Sequence, residues 1–369
     1  MVDRGEIGMG DDVYRALQLH LDSMPAGFPA TESGVEIRIL RQLFTPEEAK
    51  LATKLKYSTY PNESLESIFN RLKDTGLSLE ELEGRLDIMA SKGLIHSKSE
   101  AGEKSYSGAQ WVVGIYEFQV NKLTKELSDD IHRYNNEAFG MNLFSARPTQ
   151  LRVIPIGKSV KPKDEVASYD DFRAMLSTVD EPIMVTSCIC RQRKDLADSP
   201  CKVTEREETC ISFGEFAQMY IDQGWGREIS RDELLEIIEM NEQEGLVLQP
   251  SNSQKPEFIC SCCGCCCGLL RGKRAMPKPV DFFSTNYHSA VDLDLCTSCG
   301  TCVDLCQMRA LSFKDDALTI DLDRCIGCGV CVANCPEEAM SLLKRDKEIV
   351  PPETMEETFS RIAENKPHT

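Results

Sequence analysis

No stretch of the 369-residue chain approaches the roughly 20 consecutive apolar residues that span a bilayer, which excludes direct insertion as a membrane helix. The first residues, Met1 to Glu6, offer no apolar signal core. The reduced cytoplasm is therefore the expected compartment, where 18 cysteines are not expected to form disulfides. Positive charge is also short, with 42 Lys and Arg against 60 Asp and Glu, a net charge of −18 and a pI near 4.9. Binding to nucleic acid or anionic membrane through counterion release needs a basic surface, so this balance argues against both. There is no GxGxxG after a strand, no GxxxxGK[ST] and no CxxCH, so no site is legible for a dinucleotide, a nucleotide phosphate or a c-type haem. His20, His96, His132, His288 and His368 are scattered, none at ligand spacing from another histidine, and read as surface or core residues.

What the chain has is cysteine in patterns. Cys296-x2-Cys299-x2-Cys302-x3-Cys306 is followed by Cys325-x2-Cys328-x2-Cys331-x3-Cys335-Pro336. The repeat extends beyond the cysteines: Val291-Asp-Leu-Asp-Leu-Cys296 recurs 29 residues later as Ile320-Asp-Leu-Asp-Arg-Cys325, and Ala310-Leu-Ser as Ala339-Met-Ser. Two duplicated βαβ-like halves are expected. Gly300, Gly327 and Gly329 supply the backbone freedom that a loop wrapped round a cluster requires. Paired zinc knuckles would show two CxxC pairs across a longer loop rather than three evenly spaced cysteines and a fourth. The pattern resembles bacterial two-cluster ferredoxins. That resemblance implies one [4Fe-4S] cluster on Cys296, Cys299, Cys302 and Cys335, and a second on Cys325, Cys328, Cys331 and Cys306, each fourth ligand crossing over. Gln307 departs from it, standing where proline is usual.

The length fits two or three domains, and the class expected is α+β. Residues 1–34 read as a lead-in segment ending in the turn-rich Met24-Pro-Ala-Gly-Phe-Pro29, and 35–113 as a winged-helix-like domain. There Leu65, Ile68, Phe69 and Leu72 keep helical spacing, and Ser78 with Glu81 forms a capping box ahead of Leu79, Leu82, Leu86 and Met89. A polar loop from Lys98 to Gly108 and an apolar strand at Trp111-Val-Val113 are expected next. The second helix carries Glu80, Glu81, Glu83 and Asp87 against Arg85 and Lys92, acids that a DNA groove would repel, which favours protein docking or a purely structural use of the fold over DNA binding.

Residues 114–268 read as a Cys-rich α+β domain. A long helix with Tyr116, Val120, Leu123, Leu127 and Ile131 on one face opens it. Then come a strand-like 151–156, a helix near 169–179, and a buried run 182–185 that delivers the chain to Cys188-Ile-Cys190-Arg191. Helices follow at about 212–223 and 231–244; Ser230-x2-Glu233-Leu with Gly245-Leu-Val echoes Ser78-x2-Glu81-Leu with Gly93-Leu-Ile, either as a repeat or as two ordinary capped helices. Residues 269–282 read as a basic linker, 283–345 as the ferredoxin-type domain and 346–369 as a tail.

Ten cysteines lie outside the repeat: Cys188, Cys190, Cys201, Cys210, Cys260, Cys262, Cys263, Cys265, Cys266 and Cys267. Buried structural cysteines do not cluster as CxC and CCxCCC, so metal binding is expected, with at least one further [4Fe-4S] cluster or zinc. Neighbours in an extended segment point oppositely, so Cys262 and Cys263, or Cys265 and Cys266, should not face one cluster together. Arg191 either neutralises cluster charge or is solvated.

Taken with Phe213-Gly214 and Gly224-x-Gly-Arg-Glu-Ile-Ser230, this order of motifs is similar to a family of multi-cluster 4Fe-4S proteins of anaerobic bacteria and archaea. The resemblance implies an electron carrier, or an electron-transfer subunit of a larger oxidoreductase, whose partners are redox proteins: an oxidoreductase, a ferredoxin or a flavoprotein. A redox-sensing winged-helix regulator is the second reading. A heterodisulfide-reductase-like thiol/disulfide subunit is the third, resting on the doubled cysteines of 262–268.

Overall fold

Side-chain caps set many of the helix starts. In the computed structural model, which describes residues 9–159 and 167–366, Ser78 caps α5 (Leu79–Ser91) in the expected box with Glu81. Thr45 caps α3 (Pro46–Ala52) in the same way, and Ser64 opens α4 (Leu65–Arg71). The chain forms two compact units, residues 1–143 with 366–369, and residues 144–365. His368 and the start of the chain at Met1 to Glu6 lie outside the described residues.

In the first unit, α1 (Met9–Asp22) stands where a lead-in segment is expected, and Leu17 and Phe28 are fully buried. The ring of Phe28 meets Tyr134 at 4.8 Å and Trp111 at 5.3 Å. The three-stranded antiparallel sheet, in order β1-β3-β2, uses β1 (Glu63–Ser64), β2 (Ile95–Glu100) and β3 (Glu103–Gly108). Two sequence expectations fail here. The polar stretch 98–108 belongs to the hairpin, turned at Ala101 and Gly102, whereas Trp111–Ile115 is an irregular turn, extended at Val112 and Val113, that pairs with no strand. The long helix also breaks: Asn121 has φ of 62°, Thr124 caps anew, and α6 (Lys125–Tyr134) carries only Leu127 and Ile131 of the expected stripe.

His96 on β2 is 3% exposed, with its ring 5.4 Å from Phe118, and burial lowers its imidazole to about 4. An unfolded histidine titrates near 6.5, so between about pH 6.5 and 4 the unfolded chain holds the extra proton. Stability from this group is complete above that window and is lost as pH falls through it, about 3 kcal/mol in all. His96→Gln should show a flatter acid limb of stability than wild type in denaturant melts between pH 7 and 4.

In the second unit, to which α7 (Gly140–Ser145) leads, a five-stranded antiparallel sheet runs β6-β4-β5-β8-β7. Its strands are β4 (Ile183–Ser187), β5 (Glu208–Phe213), β6 (Arg227–Ile229), β7 (Val247–Pro250) and β8 (Phe258–Cys262). Strand periodicity gives the sheet two unlike faces. Ile183, Val185, Ile211, Phe213 and Ile259 join one apolar core with α8 (Phe172–Leu176) and α11 (Arg231–Gln243). Cys210, Cys260 and Cys262 alternate with those residues and take the other face, Cys210 lying directly opposite Cys260. α9 (Ile189–Leu196) follows β4, and α10 (Gly214–Asp222) follows β5. The segment 151–156 makes only isolated bridges. The echoed helices α5 and α11 do share their ends: Ser230 accepts from the Glu233 amide, and Gly93 and Gly245 close them at φ of 76° and 74°. They then feed unlike sheets, a small hairpin and the five-stranded sheet.

Where a linker is expected, the chain forms α12 (Gly268–Arg274) and buries Lys273. The duplicated segment builds β9 (Tyr287–Val291), α13 (Thr301–Leu305) and β10 (Leu311–Lys314), then β11 (Ala317–Ile320), α14 (Val330–Ala333) and β12 (Met340–Lys344). β9 pairs with β12 and β10 with β11, so each half contributes one strand to both ribbons. The expected tail contains α15 (Met355–Glu364), with Phe359 and Ile362 buried.

Candidate metal centres

Each half of the duplicated segment wraps its CxxCxxC loop back over a short helix. Cys302 lies in the electrostatic field of Cys299, Cys335 and Cys296, and these four line one cavity. Cys328 is surrounded by Cys331, Cys306 and Cys325. The structure thus brings the eight thiols together as three neighbours plus one from the other half.

Amide and hydroxyl donors surround the sulfurs, as thiolates bound to iron require. Ser289 N–H donates to Cys325 Sγ at 3.3 Å, Ser289 Oγ lies 3.1 Å from Cys331 Sγ, and Ala310 N–H donates to Cys306 Sγ at 3.2 Å. Burial raises Cys302 and Cys306, and raises Cys331 to about 12. Cationic iron in place of the protons would remove that penalty. The residues fit the group.

Ser298 and Gly327 hold equivalent positions in the two halves, both left-handed, at φ of 57° and 63°. Only at 327 must the residue be glycine, because a Cβ there would lie 2.2 Å from the Tyr287 carbonyl oxygen. Gly327→Ala should destabilise the second unit by about 3 kcal/mol through backbone strain and overlap, whereas Ser298→Gly should be nearly neutral; thermal melts of the two variants check this.

The ten upstream cysteines form two groups. In the first, each thiol acts on two others in a closed circuit that runs from Cys188 to Cys190, Cys267, Cys262, Cys260, Cys210 and back to Cys188. β5 and β8 supply three of these thiols through their shared face. Cys188 and Cys190 come from the start of α9, whose N-terminus favours negative charge, and Cys267 immediately precedes α12. Hydrogen bonds from neighbouring thiols pull Cys190 and Cys210 well below the ordinary thiol range; Arg193 adds to this at Cys190. The same sharing drives Cys188, Cys260, Cys262 and Cys267 up.

The second group is a compact tetrad, Cys201, Cys263, Cys265 and Cys266, whose sulfurs all lie within 4.8 Å of one another. The expected divergence of adjacent cysteines holds for Cys262 and Cys263, which go to different groups. It fails for Cys265 and Cys266, which share the tetrad, because 264–266 is a turn and not an extended strand.

Arg191 lies between the groups, 3% exposed. It donates to Thr209 Oγ1 and, at 3.2 Å, to the Ser261 carbonyl. Burial opposes its charge, yet Cys188, Cys263 and Cys201 hold it firmly protonated. The structure favours the neutralising role over the solvated one.

Three further residues serve these groups, of which only Ser289 carries no signal in the sequence. Lys273 lies 4.5 Å from the Phe283 ring and in the field of Cys267; burial brings its ammonium to about 7. Ser289 serves two sulfurs. Gln307, the departure from the proline pattern, accepts from Gly264 N–H at 2.7 Å and donates to the Gly245 carbonyl at 3.1 Å, tying the cysteine-rich turn to the duplicated segment.

The thiol sets of the duplicated segment and their donors suit iron–sulfur clusters. Comparison with known families agrees: residues 295–348 match the model of the 4Fe-4S dicluster domain. No curated protein matches the chain. The second unit therefore contains a ferredoxin-type domain with an iron–sulfur electron-transfer role, and no helix among the described residues is long and apolar enough to cross a membrane.

Proposed function

We propose that the protein relays single electrons between a low-potential donor and a partner oxidoreductase through a line of iron–sulfur sites. The two thiol sets of the duplicated segment would hold its [4Fe-4S] clusters with crossed fourth ligands, and the six-thiol circuit would hold a further cluster. When bound, such clusters take up and release one electron at a time.

The observation that carries this reading is continuity. Cys262 and Cys267 of the circuit share one apolar core with Ile326 and Met308, against which Cys306 and Cys328 of the second ferredoxin set are packed. Cys306 and Cys331 in turn meet Cys302, Cys296 and Cys335 in the next core. At the far end Cys299 is exposed, and Leu293, Leu295 and Phe313 are 56%, 52% and 43% exposed. An apolar rim at an open cluster suits a redox-protein partner.

Nucleic acid is not part of this reading. The hairpin of the first unit spends its Lys104 on Glu83 and Asp87, both at 2.7 Å, and its Lys98 on Glu100 at 2.8 Å.

The test is reoxidation. Dithionite-reduced protein, freed of reductant, should be reoxidised by at least one redox-protein fraction of its host's extract, at a rate proportional to that fraction's concentration. Failure with every fraction would remove the relay.

A further inference from the structure

The sulfurs of the tetrad approach one another too closely for a cubane. Cys201 Sγ lies 3.6 Å from both Cys263 Sγ and Cys265 Sγ, Cys265 Sγ lies 3.4 Å from Cys263 Sγ, and Cys266 Sγ lies 3.7 Å from Cys265 Sγ. Four thiolates around one ion at a metal–sulfur distance of about 2.3 Å form a tetrahedron with edges of about 3.8 Å. A cubane places an iron behind every thiolate and a four-iron core between them, spreading the sulfurs well beyond that edge. Among the described residues no other set of three or more cysteines, neither in the duplicated segment nor in the six-thiol circuit, brings all its sulfurs within 4.8 Å of one another.

We propose that Cys201, Cys263, Cys265 and Cys266 bind a single tetrahedral zinc ion, separate from the six-thiol circuit that takes the upstream iron–sulfur cluster. The site is closed. Cys263 and Cys266 are 1% exposed and form a core with Leu246, while Cys201, Val203 and Cys265 pack against it. Lys202 N–H donates to Cys265 Sγ at 3.5 Å, and the Gln307 side chain holds the turn at Gly264. Four cysteines with no open position are the arrangement of structural zinc, and zinc outcompetes ferrous iron at a site of given donors. The role that follows is to clamp the 201–207 loop to the cysteine-rich turn, so that Cys262 and Cys267 on either side of it keep their places in the circuit. This goes beyond the relay, because the ion itself carries no electron.

The experiment is metal and sulfide analysis of the full chain, purified without oxygen, as wild type, Cys201→Ala and Cys260→Ala. Wild type should hold about one zinc per chain, with a sulfur-only zinc shell at about 2.3 Å by X-ray absorption. Cys201→Ala should lose the zinc and keep at least the iron of the two ferredoxin clusters. Cys260→Ala should lose upstream iron and sulfide and keep the zinc. Wild-type protein without zinc overturns the proposal, whether the tetrad holds a cluster, one sulfide-free iron or nothing. So does zinc in wild type bound through anything but four sulfurs, a reading that does not depend on the variants folding. Reoxidation by a partner fraction is a separate readout, so the zinc site and the relay stand or fall apart.

Discussion

Cys306→Ala is expected to lose the cluster proposed for Cys325, Cys328 and Cys331 and to keep the other cluster of the ferredoxin segment. Although Cys306 follows Cys296, Cys299 and Cys302 in sequence, its thiol faces Cys325, while Cys302 faces Cys335. Crossing makes the effects of paired substitutions diagnostic. The single variant should lose about four irons, one cubane's worth. Adding Cys325→Ala should cost no further iron, because both residues serve one cluster. Adding Cys296→Ala instead should bring the loss to about eight. Were the fourth cysteine local to its own run, the two double variants would exchange results, and iron analysis of the three proteins separates the cases.

Arg191→Met is expected to lower the potential of the upstream cluster, because it deletes a buried positive charge that favours the more negative, reduced state. Coulomb's law at an effective dielectric of about 20 and roughly 6 Å gives about 3 kcal/mol, on the order of 100 mV for one electron. Arg191→Lys keeps the charge and should recover most of the shift while losing the fork that reaches Thr209 and Ser261. Redox titration followed by electron paramagnetic resonance reads the change. An unmoved potential in Arg191→Met would take the guanidinium away from the cluster.

The ferredoxin-type segment is legible because its information is local: cysteines three and four residues apart, a 29-residue repeat, and residues that accept left-handed backbone angles in the loops. The six-thiol circuit is not. Cys210 and Cys260 meet only through the pairing of β5 with β8, and nothing in a linear spacing gives that register. A local rule did separate Cys262 from Cys263, where the chain is leaving a strand. It misled at Cys265 and Cys266 because it assumed an extended segment where the chain turns. The first-unit hairpin is legible but misplaced: its tip is built of Ser, Lys and Glu, so apolar alternation assigns the second strand to Trp111-Val-Val113 instead of Glu103–Gly108. The break in the long helix was readable, since Thr124 stands three residues before Leu127, whose amide it accepts.

The measurement that bears most directly on the relay is the number of electrons the anaerobically purified protein accepts in a reductive titration monitored by electron paramagnetic resonance. A relay of two ferredoxin clusters and one upstream cluster predicts at least three one-electron steps per chain, with spectra broadened by interaction between neighbouring centres. It further predicts that Cys260→Ala removes the steps beyond two. Uptake of only two electrons by wild type, or uptake in two-electron steps, would contradict it.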